Sequence, residues 1–250
     1  MFVKTIFLAG NPFFDAYVES DILGKFIFLG LFALSVCSWI VLIHKVWITY
    51  QAKRYAARFQ ESFQLQKLNP LSLDCEMINK KQTPNPFLDL YQVLKKQSLD
   101  LLNKNRHFGL YEKEGSGNGK AYLSLSDIDF VAAHLSTMVA TQVKGLEKNL
   151  YILSTTVSLA PFLGLLGTVW GILTTFSQLQ AQSAGSTHDM MLGGLSLALA
   201  TTVLGLIDAI PALIGYNYLK NSIREFSTDM EGFSNEILAS VELQYRKVDA

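Results

Sequence analysis

This chain of 250 residues has few cysteines and histidines, and neither positive nor negative charge is in excess. Lys and Arg total 21, as do Asp and Glu, so no bulk basicity indicates a nucleic-acid partner. The two cysteines are Cys37, in an apolar run, and Cys75, in a polar segment, which predicts neither a disulfide nor a metal site. The four histidines are scattered, and no nucleophile, base and orienting group lie together. We therefore expect no enzyme: no catalytic residue, no metal site and no cofactor.

The chain is instead rich in apolar residues, which make up 50% of it against 17% charged residues. Residues 26–43 carry no charge, and at about 1.5 Å per residue they cover about 27 Å, close to the thickness of a bilayer's hydrocarbon core. The helix can continue through Lys45, whose ammonium group would reach the interface. Residues 150–176 form a second such run, and residues 190–219 a third, with Asp208 as its only charge. A buried helix in a soluble core is the alternative, but little other apolar surface exists to bury three.

The placement of Lys and Arg predicts the orientation of the chain in the membrane. Residues 49–150 hold fourteen of them and the tail four, whereas the segment between the second and third runs holds none. The fold class is therefore predicted as an all-α integral membrane protein with three transmembrane helices and long cytoplasmic helical extensions. Its predicted segments are 1–25 (periplasmic), 26–48 (transmembrane helix 1), 49–149 (cytoplasmic helical domain), 150–176 (transmembrane helix 2), 177–189 (periplasmic hairpin), 190–219 (transmembrane helix 3) and 220–250 (cytoplasmic helical tail).

Helical periodicity extends beyond the three apolar runs. Aromatic residues at every fourth position predict that the first helix continues inward, and apolar spacing predicts a second helix over 87–102 and a helical tail. Residues 79–86 are predicted to be a break and residues 109–120 a flexible loop. Ser126 with Asp129 resembles a helix cap. From there the spacing favours one helix of about fifty residues into the second run, with two separate helices as the alternative.

Small residues line one face of each of the last two runs. In the second run Gly164, Gly167 and Gly171 recur at three- and four-residue spacing, and in the third run Ala198 and Gly205 do so. Such faces let helix backbones approach closely in lipid. They could pack subunits around an axis, or simply pack these two helices together.

Two prolines and one acid stand out within these runs. Pro161 and Pro211 each remove a backbone hydrogen bond and can act as a kink or a hinge. Asp208 is costly inside a membrane, and such a group by default marks an ion path or a polar partner. The structural alternative is a protonated or paired carboxyl group that only holds helices together.

At this point the sequence resembles a known family. The string Leu-Ala-Pro-Phe-Leu-Gly-Leu-Leu-Gly-Thr-Val-Trp-Gly-Ile over 159–172 is similar to a signature of the TolQ/ExbB/MotA proton-channel family. Gly-Leu at 205–206, followed by Ala-Ile-Pro-Ala at 209–212 and Tyr-Asn at 216–217, resembles its second signature. Ser-Trp at 38–39 and Asn-Pro-Phe-Phe at 11–14 look most like its TolQ branch.

The resemblance implies a stator in the bacterial inner membrane. It implies a homo-oligomer, a pentamer, around a single-span partner of the TolR/ExbD type that supplies a protonatable Asp. It also implies a TolA/TonB-like envelope-spanning protein as a further partner, with membrane lipid around the complex. Proton flow would drive work on the envelope or on outer-membrane transport. The family's polar threonines fall on Thr168 and on Thr202, with Thr201 as the alternative to the latter.

One departure from the family concerns its acidic residue. Many members carry a Glu early in the third helix, where this chain has Leu197, and this chain has Asp208 where the family usually has a small residue. The two positions lie eleven residues, almost three turns, apart, so they share one helix face about 16 Å apart. An ion path through Thr168, Thr202 and Asp208 is the prediction. A non-conducting scaffold of the same fold is the alternative, a helical-hairpin transporter is ranked below both, and proton and sodium both remain as the ion.

Overall fold

The fold is that of a computed structural model, which describes residues 13, 17, 20–67, 69–73, 85–107, 122–181 and 187–246; within these, the side chains of 178, 179, 181, 187–194 and 197 are left aside. The helices are α1 (Ile22–Leu65), α2 (Pro86–His107), α3 (Leu125–Glu147), α4 (Leu150–Ala181) and α5 (Thr187–Tyr245). Within the described ranges the only β contact is an isolated bridge between Leu123 and Arg246. The predicted all-α class is confirmed.

Three of these helices are long and apolar enough to cross a membrane. The qualifying stretches are Ile22–Leu65 in α1, Leu150–Ser177 in α4 and Ala198–Tyr245 in α5. Many of their large apolar side chains are exposed, including Phe32, which is 69% exposed. Side chains of this kind need an apolar surrounding, so the prediction of three membrane-spanning helices is confirmed.

The chain divides into two compact units. The first, called the span unit here, comprises Met1–His44 and Asn149–Tyr218. Inside it α1 packs on α4 and α5 through a small cluster of Ile27, Leu31, Ala160 and Ala209. The packing leaves almost no space between α1 and α5, since a Cβ atom on Gly215 would collide with the side chain of Leu42.

The second unit, called the core unit here, comprises Lys45–Lys148 and Leu219–Ala250. Its centre is aromatic. Phe233 stacks on Phe87 with ring centroids 4.3 Å apart, and it makes edge contacts with Phe59 and Phe63 from α1. Tyr91 of α2 packs against the same two rings of α1. The apolar periodicity predicted for the inward part of α1, for α2 and for the tail is therefore the periodicity of one shared core.

The predicted helix of about fifty residues is wrong. It is interrupted at Lys148, the C-cap of α3, and Asn149, whose φ of 67° lies in the left-handed region. Asn is one of the few residues other than Gly that adopt this conformation readily, because its side chain can hydrogen-bond locally. The alternative of two helices is the correct one. An isolated Asn in a run of helical periodicity gave little sign of the break.

The end of α3 at this break is capped by Lys45. Its Nζ atom donates hydrogen bonds to the carbonyl oxygens of Leu146, at 2.9 Å, and Gly145, at 3.4 Å, and the residue is buried. These carbonyls belong to the last turn of α3, where helix geometry leaves oxygen atoms without partners and favours a positive charge. The ammonium group of Lys45, which was expected to reach the membrane interface, thus satisfies the end of α3.

The predicted helix cap at Ser126 and Asp129 is displaced by two residues. The N-cap of α3 is Ser124, whose hydroxyl accepts from the backbone N–H of Asp127, while the Asp127 carboxylate accepts from the backbone N–H of Ser124. Partial burial would raise the pKa of Asp127. Its hydrogen bonds with Asn105 and Ser124 and the charge of Lys104 outweigh that effect and hold the pKa below its usual value.

The predicted loop at 109–120, most of the break at 79–86, and Cys75 lie outside the described residues, while Cys37 is a free, exposed cysteine.

Candidate ion path and helix-packing seam

Helices α4 and α5 approach each other closely enough to exclude a β-carbon at several positions. A Cβ atom on Gly205 would lie 2.6 Å from the carbonyl oxygen of Ala160, and one on Gly164 would lie 3.0 Å from the Cα atom of Thr202. Both neighbours are backbone atoms, which cannot turn aside as a side chain can. Within one chain, the small residues at these positions permit contact between the two helix backbones.

This line of small residues between α4 and α5, called the seam here, continues toward the end of α4. A Cβ atom on Gly171 would lie 3.0 Å from the Cβ of Ala198, and one on Gly167 would collide with the side chain of Thr201. Ala198 and Thr201 are each only 1% exposed. The five small residues predicted from the spacing thus meet along one α4–α5 contact. Contacts of this kind within the chain are sufficient reason for small residues at these positions.

The hydroxyl groups of Thr201 and Thr202 are directed at the backbone of α4. The Thr202 Oγ1 atom donates to the carbonyl oxygen of Gly164 at 3.1 Å. Thr201 donates to Ala198 in its own helix at 2.8 Å and lies 3.4 Å from the same Gly164 oxygen. Both threonines therefore link α5 to α4 inside the span unit. Thr202 is the less buried of the two, and it keeps lone pairs that can accept a hydrogen bond.

Thr168 is placed differently from these two residues. It is partly exposed, and its Oγ1 atom donates to the carbonyl oxygen of Leu165 in its own helix at 2.7 Å. Bonds of this kind are common for Thr in helices. They occupy the hydroxyl hydrogen and leave the oxygen able to accept, so Thr168 can still receive a hydrogen bond from a group outside this chain.

Asp208 is 5% exposed and faces a cavity of about 420 Å³ in the span unit. The side chain of Ser35, in α1, interacts with its carboxyl group, yet neither carboxyl oxygen has a partner of proper hydrogen-bond geometry among the described residues. A buried acid without such partners is costly to retain for packing alone. Asp208 thus lies toward α1, whereas Thr202 lies toward α4. The side chain of Leu197, the position of the family's Glu, lies outside the described residues.

The two prolines lie inside continuous helices. Pro161 is in α4 and Pro211 is in α5, and both helices extend well beyond them on either side. Pro161 follows Ala160, whose carbonyl oxygen is the atom closest to Gly205 across the seam. The backbone around Pro161 is therefore part of the α4–α5 contact.

A hydrogen bond that the sequence did not predict joins the start of α1 to α4. The indole Nε1 atom of Trp170 donates to Oδ2 of Asp21 at 2.8 Å, while Oδ1 of Asp21 accepts from the backbone N–H of Gly24 at 2.9 Å. Asp21 thus caps α1 and anchors it to α4 with the same carboxylate. An acidic residue directly before an apolar run was a visible signal of the cap, but nothing in the sequence pointed to Trp170 as its partner.

Comparison with known proteins places these observations in a family. The profile of the MotA/TolQ/ExbB proton channel family matches residues 114–232, which include the end of the core unit's first segment, the whole seam and Asp208. Similar proteins include the biopolymer transport protein ExbB of Pseudomonas putida, 30% identical over 225 residues, which are 90% of this chain and 62% of that protein. The ExbB of Aquifex aeolicus is 48% identical over 99 residues, 40% of this chain and 66% of that protein.

A third relative carries a different name. The Tol-Pal system protein TolQ of Haemophilus influenzae is 26% identical over 226 residues, 90% of this chain and 91% of that protein. The chain spans less than two thirds of the length of the two ExbB proteins above, and most of the length of TolQ. The family profile and the relatives of both names agree with the motifs of α4 and α5. The chain belongs to the MotA/TolQ/ExbB proton channel family.

Proposed function

We propose that this chain is a proton-conducting stator subunit in a bacterial inner membrane, coupling the proton motive force to work on the cell envelope or on outer-membrane transport. The observation that carries the proposal is Asp208, a buried carboxyl group without a partner of proper hydrogen-bond geometry among the described residues, in a chain of a proton-channel family. Such a group can bind and release a proton without first breaking a salt bridge. Relatives named ExbB and TolQ are both similar to the chain, so the proposal covers both outputs.

The proposed complex is a homo-oligomer, a pentamer, that surrounds a single-span protein of the TolR/ExbD type. Exposed apolar side chains on α1, α4 and α5 supply surface for lipid and for neighbouring subunits, as for Phe162 at 69% exposed and Ile214 at 65%. The partly exposed Thr168 hydroxyl would accept a hydrogen bond from the partner's carboxyl group. A TolA/TonB-like protein would carry the work across the envelope.

The experiment that tests conduction uses the full chain and its copurified single-span partner in liposomes with an internal pH dye. On imposing a membrane potential, we expect acidification that depends on both proteins. Thr168→Val keeps the shape of the side chain but removes the hydroxyl group, so it should assemble normally and reduce flux at least about tenfold, which corresponds to about 1.4 kcal/mol.

Two outcomes would count against this proposal. Wild-type flux in Thr168→Val would leave the hydroxyl group without a role. No flux from the correctly assembled wild-type complex would favour the alternative, a non-conducting scaffold of the same fold. Thr155→Val is a matched control, because Thr155 is an exposed Thr of α4 that also donates to a carbonyl of its own helix, and it lies outside the small-residue seam.

The proposed orientation has a periplasmic N-terminus and a cytoplasmic C-terminus, and it rests on the Lys and Arg distribution. In a background without Cys37 and Cys75, a cysteine replacing Ser183 should react with an impermeant thiol reagent applied outside spheroplasts. A cysteine replacing Ser116 should react only after the membrane is permeabilised. The opposite labelling pattern would reverse the orientation.

A further inference from the structure

The cavity beside Asp208 combines one acid with an aromatic wall. Phe13, Tyr17, Phe28 and Phe32 line it, together with Ser35 and Asp208. Tyr17 and Phe28 meet edge to face, with ring centroids 6.1 Å apart. At about 420 Å³ the cavity lies in the range of small-molecule sites. Among the described residues that line it, the ionisable groups are the Asp208 carboxyl and the Tyr17 phenol.

The cavity is accessible from the side of the helices. Phe32 is 69% exposed, Leu29 is 59% exposed and Ile207 is 58% exposed, and all three line it. These helices cross the membrane, so the opening meets lipid rather than water. A molecule that reaches Asp208 by this route must itself dissolve in the bilayer, which limits candidates to those with a large apolar body.

The chemistry inside the cavity selects for an amine. A carboxylate attracts an ammonium group, and the faces of aromatic rings attract the same group through their negative quadrupole, most strongly where water is excluded. Neither feature favours an anion, and an apolar molecule without a donor would leave the buried carboxyl unsatisfied. We propose that this cavity binds the amino group of a lipophilic amine that enters from the bilayer, with Asp208 as the counter-ion and Phe32 as part of the aromatic wall.

The proton balance of binding is simple. A lipophilic amine crosses the hydrocarbon as the neutral base, because a bare ammonium ion is strongly disfavoured there. On binding, the proton of the Asp208 carboxyl group passes to the amine nitrogen, which gives a carboxylate and an ammonium ion in contact. No bond other than this O–H bond breaks, and no further reactant is needed.

The test is photolabelling of the full chain in nanodiscs of phosphatidylcholine and phosphatidylglycerol, which contain no primary amine. The probes are a photoreactive dodecylamine and the corresponding dodecanol, with labelled peptides identified by mass spectrometry. We expect saturable amine labelling at the cavity. Asp208→Asn should weaken amine labelling at least about tenfold and change dodecanol labelling less than about twofold.

A second pair of variants keeps the test independent of Asp208. Phe32→Leu should weaken amine labelling about two- to fivefold, as expected for the loss of one cation–π contact. Phe26→Leu is the matched control, because Phe26 lies on the same helix and is 68% exposed, close to the 69% of Phe32, but does not line the cavity. We expect no change in this control.

Competition with phosphatidylethanolamine identifies the source of the amine. If it displaces the probe, the natural ligand class includes aminophospholipids; if it does not, the site takes free amines. Equal amine and alcohol labelling, equal labelling in Asp208→Asn and wild type, or equal effects of the two Phe variants would each overturn the proposal. The assay needs neither partner nor ion gradient, so a failure of proton flux would leave its result unaffected.

Discussion

Replacing Gly205 by leucine should separate α4 from α5 and lower the stability of the span unit by about 3 kcal/mol, at the upper end of the usual cost of overpacking. The Cβ atom alone would lie 2.6 Å from the carbonyl oxygen of Ala160, and the remaining side-chain atoms need space that the α4 backbone occupies. This clash could be removed only if the two helices moved apart. That movement would also break the Thr202–Gly164 hydrogen bond.

A matched substitution tests the specificity of this effect. A Cβ atom on Gly30, in α1, meets nothing within 4 Å, so Gly30→Leu should change stability by less than about 0.5 kcal/mol. Unfolding of the purified full chain in mixed micelles, monitored by tryptophan fluorescence, gives the comparison. If both leucine variants unfold like the wild type, the close α4–α5 contact is not a determinant of stability.

Replacing Asp208 by asparagine should abolish proton flux, with a loss of at least about tenfold, while leaving assembly intact. Asparagine has the size and hydrogen-bonding capacity of aspartic acid but cannot bind and release a proton. If the carboxyl group only held helices together, the substitution would cost about 1 kcal/mol or less, as for hydrogen bonds measured between membrane helices. The liposome assay with the single-span partner separates these outcomes, because wild-type flux in this variant would exclude a role in proton transfer.

A double variant tests whether a carboxyl group at a different position on α5 can replace that of Asp208. Asp208→Ala should be inactive, and Asp208→Ala with Leu197→Glu places a carboxyl group at the family's usual position, about 16 Å away on the same helix face. Recovered flux would show that the two sites are interchangeable. Continued inactivity of an assembled double variant would mean that Asp208 acts only from its own position.

The membrane character of the fold could be predicted from composition and periodicity alone. Three long runs with no more than one charge each admit few arrangements, and the aromatic residues at every fourth position after the first run mark a helix with one buried face. Small-residue spacing in α4 and α5 predicted faces for close approach but left open whether they pack subunits or these two helices. Within one chain these residues lie at the α4–α5 contact.

The structural details that sequence reasoning missed depend on distant residues. The break at Asn149 is set by one residue in a left-handed conformation, within an otherwise uninterrupted helical pattern. The partner of Lys45 is a helix end about a hundred positions later, and the partner of Trp170 is Asp21. Periodicity reports which face of a helix is buried, but not which side chain from another helix meets it. Ser35 beside Asp208 is a further instance, because an isolated Ser in an apolar helix has many possible neighbours.

The aromatic centre of the core unit has a consequence for biosynthesis. Phe59, Phe63 and Phe87 leave the ribosome more than a hundred residues before Phe226 and Phe233, whose rings they contact in the folded core unit. The nascent chain must insert two further membrane helices while these early rings still lack their partners. Its exposed apolar surface is a target for chaperones and for aggregation during that interval. Ribosomes stalled before Phe226 should therefore carry a chain in which the first two spans are inserted but the segment between them is still sensitive to protease.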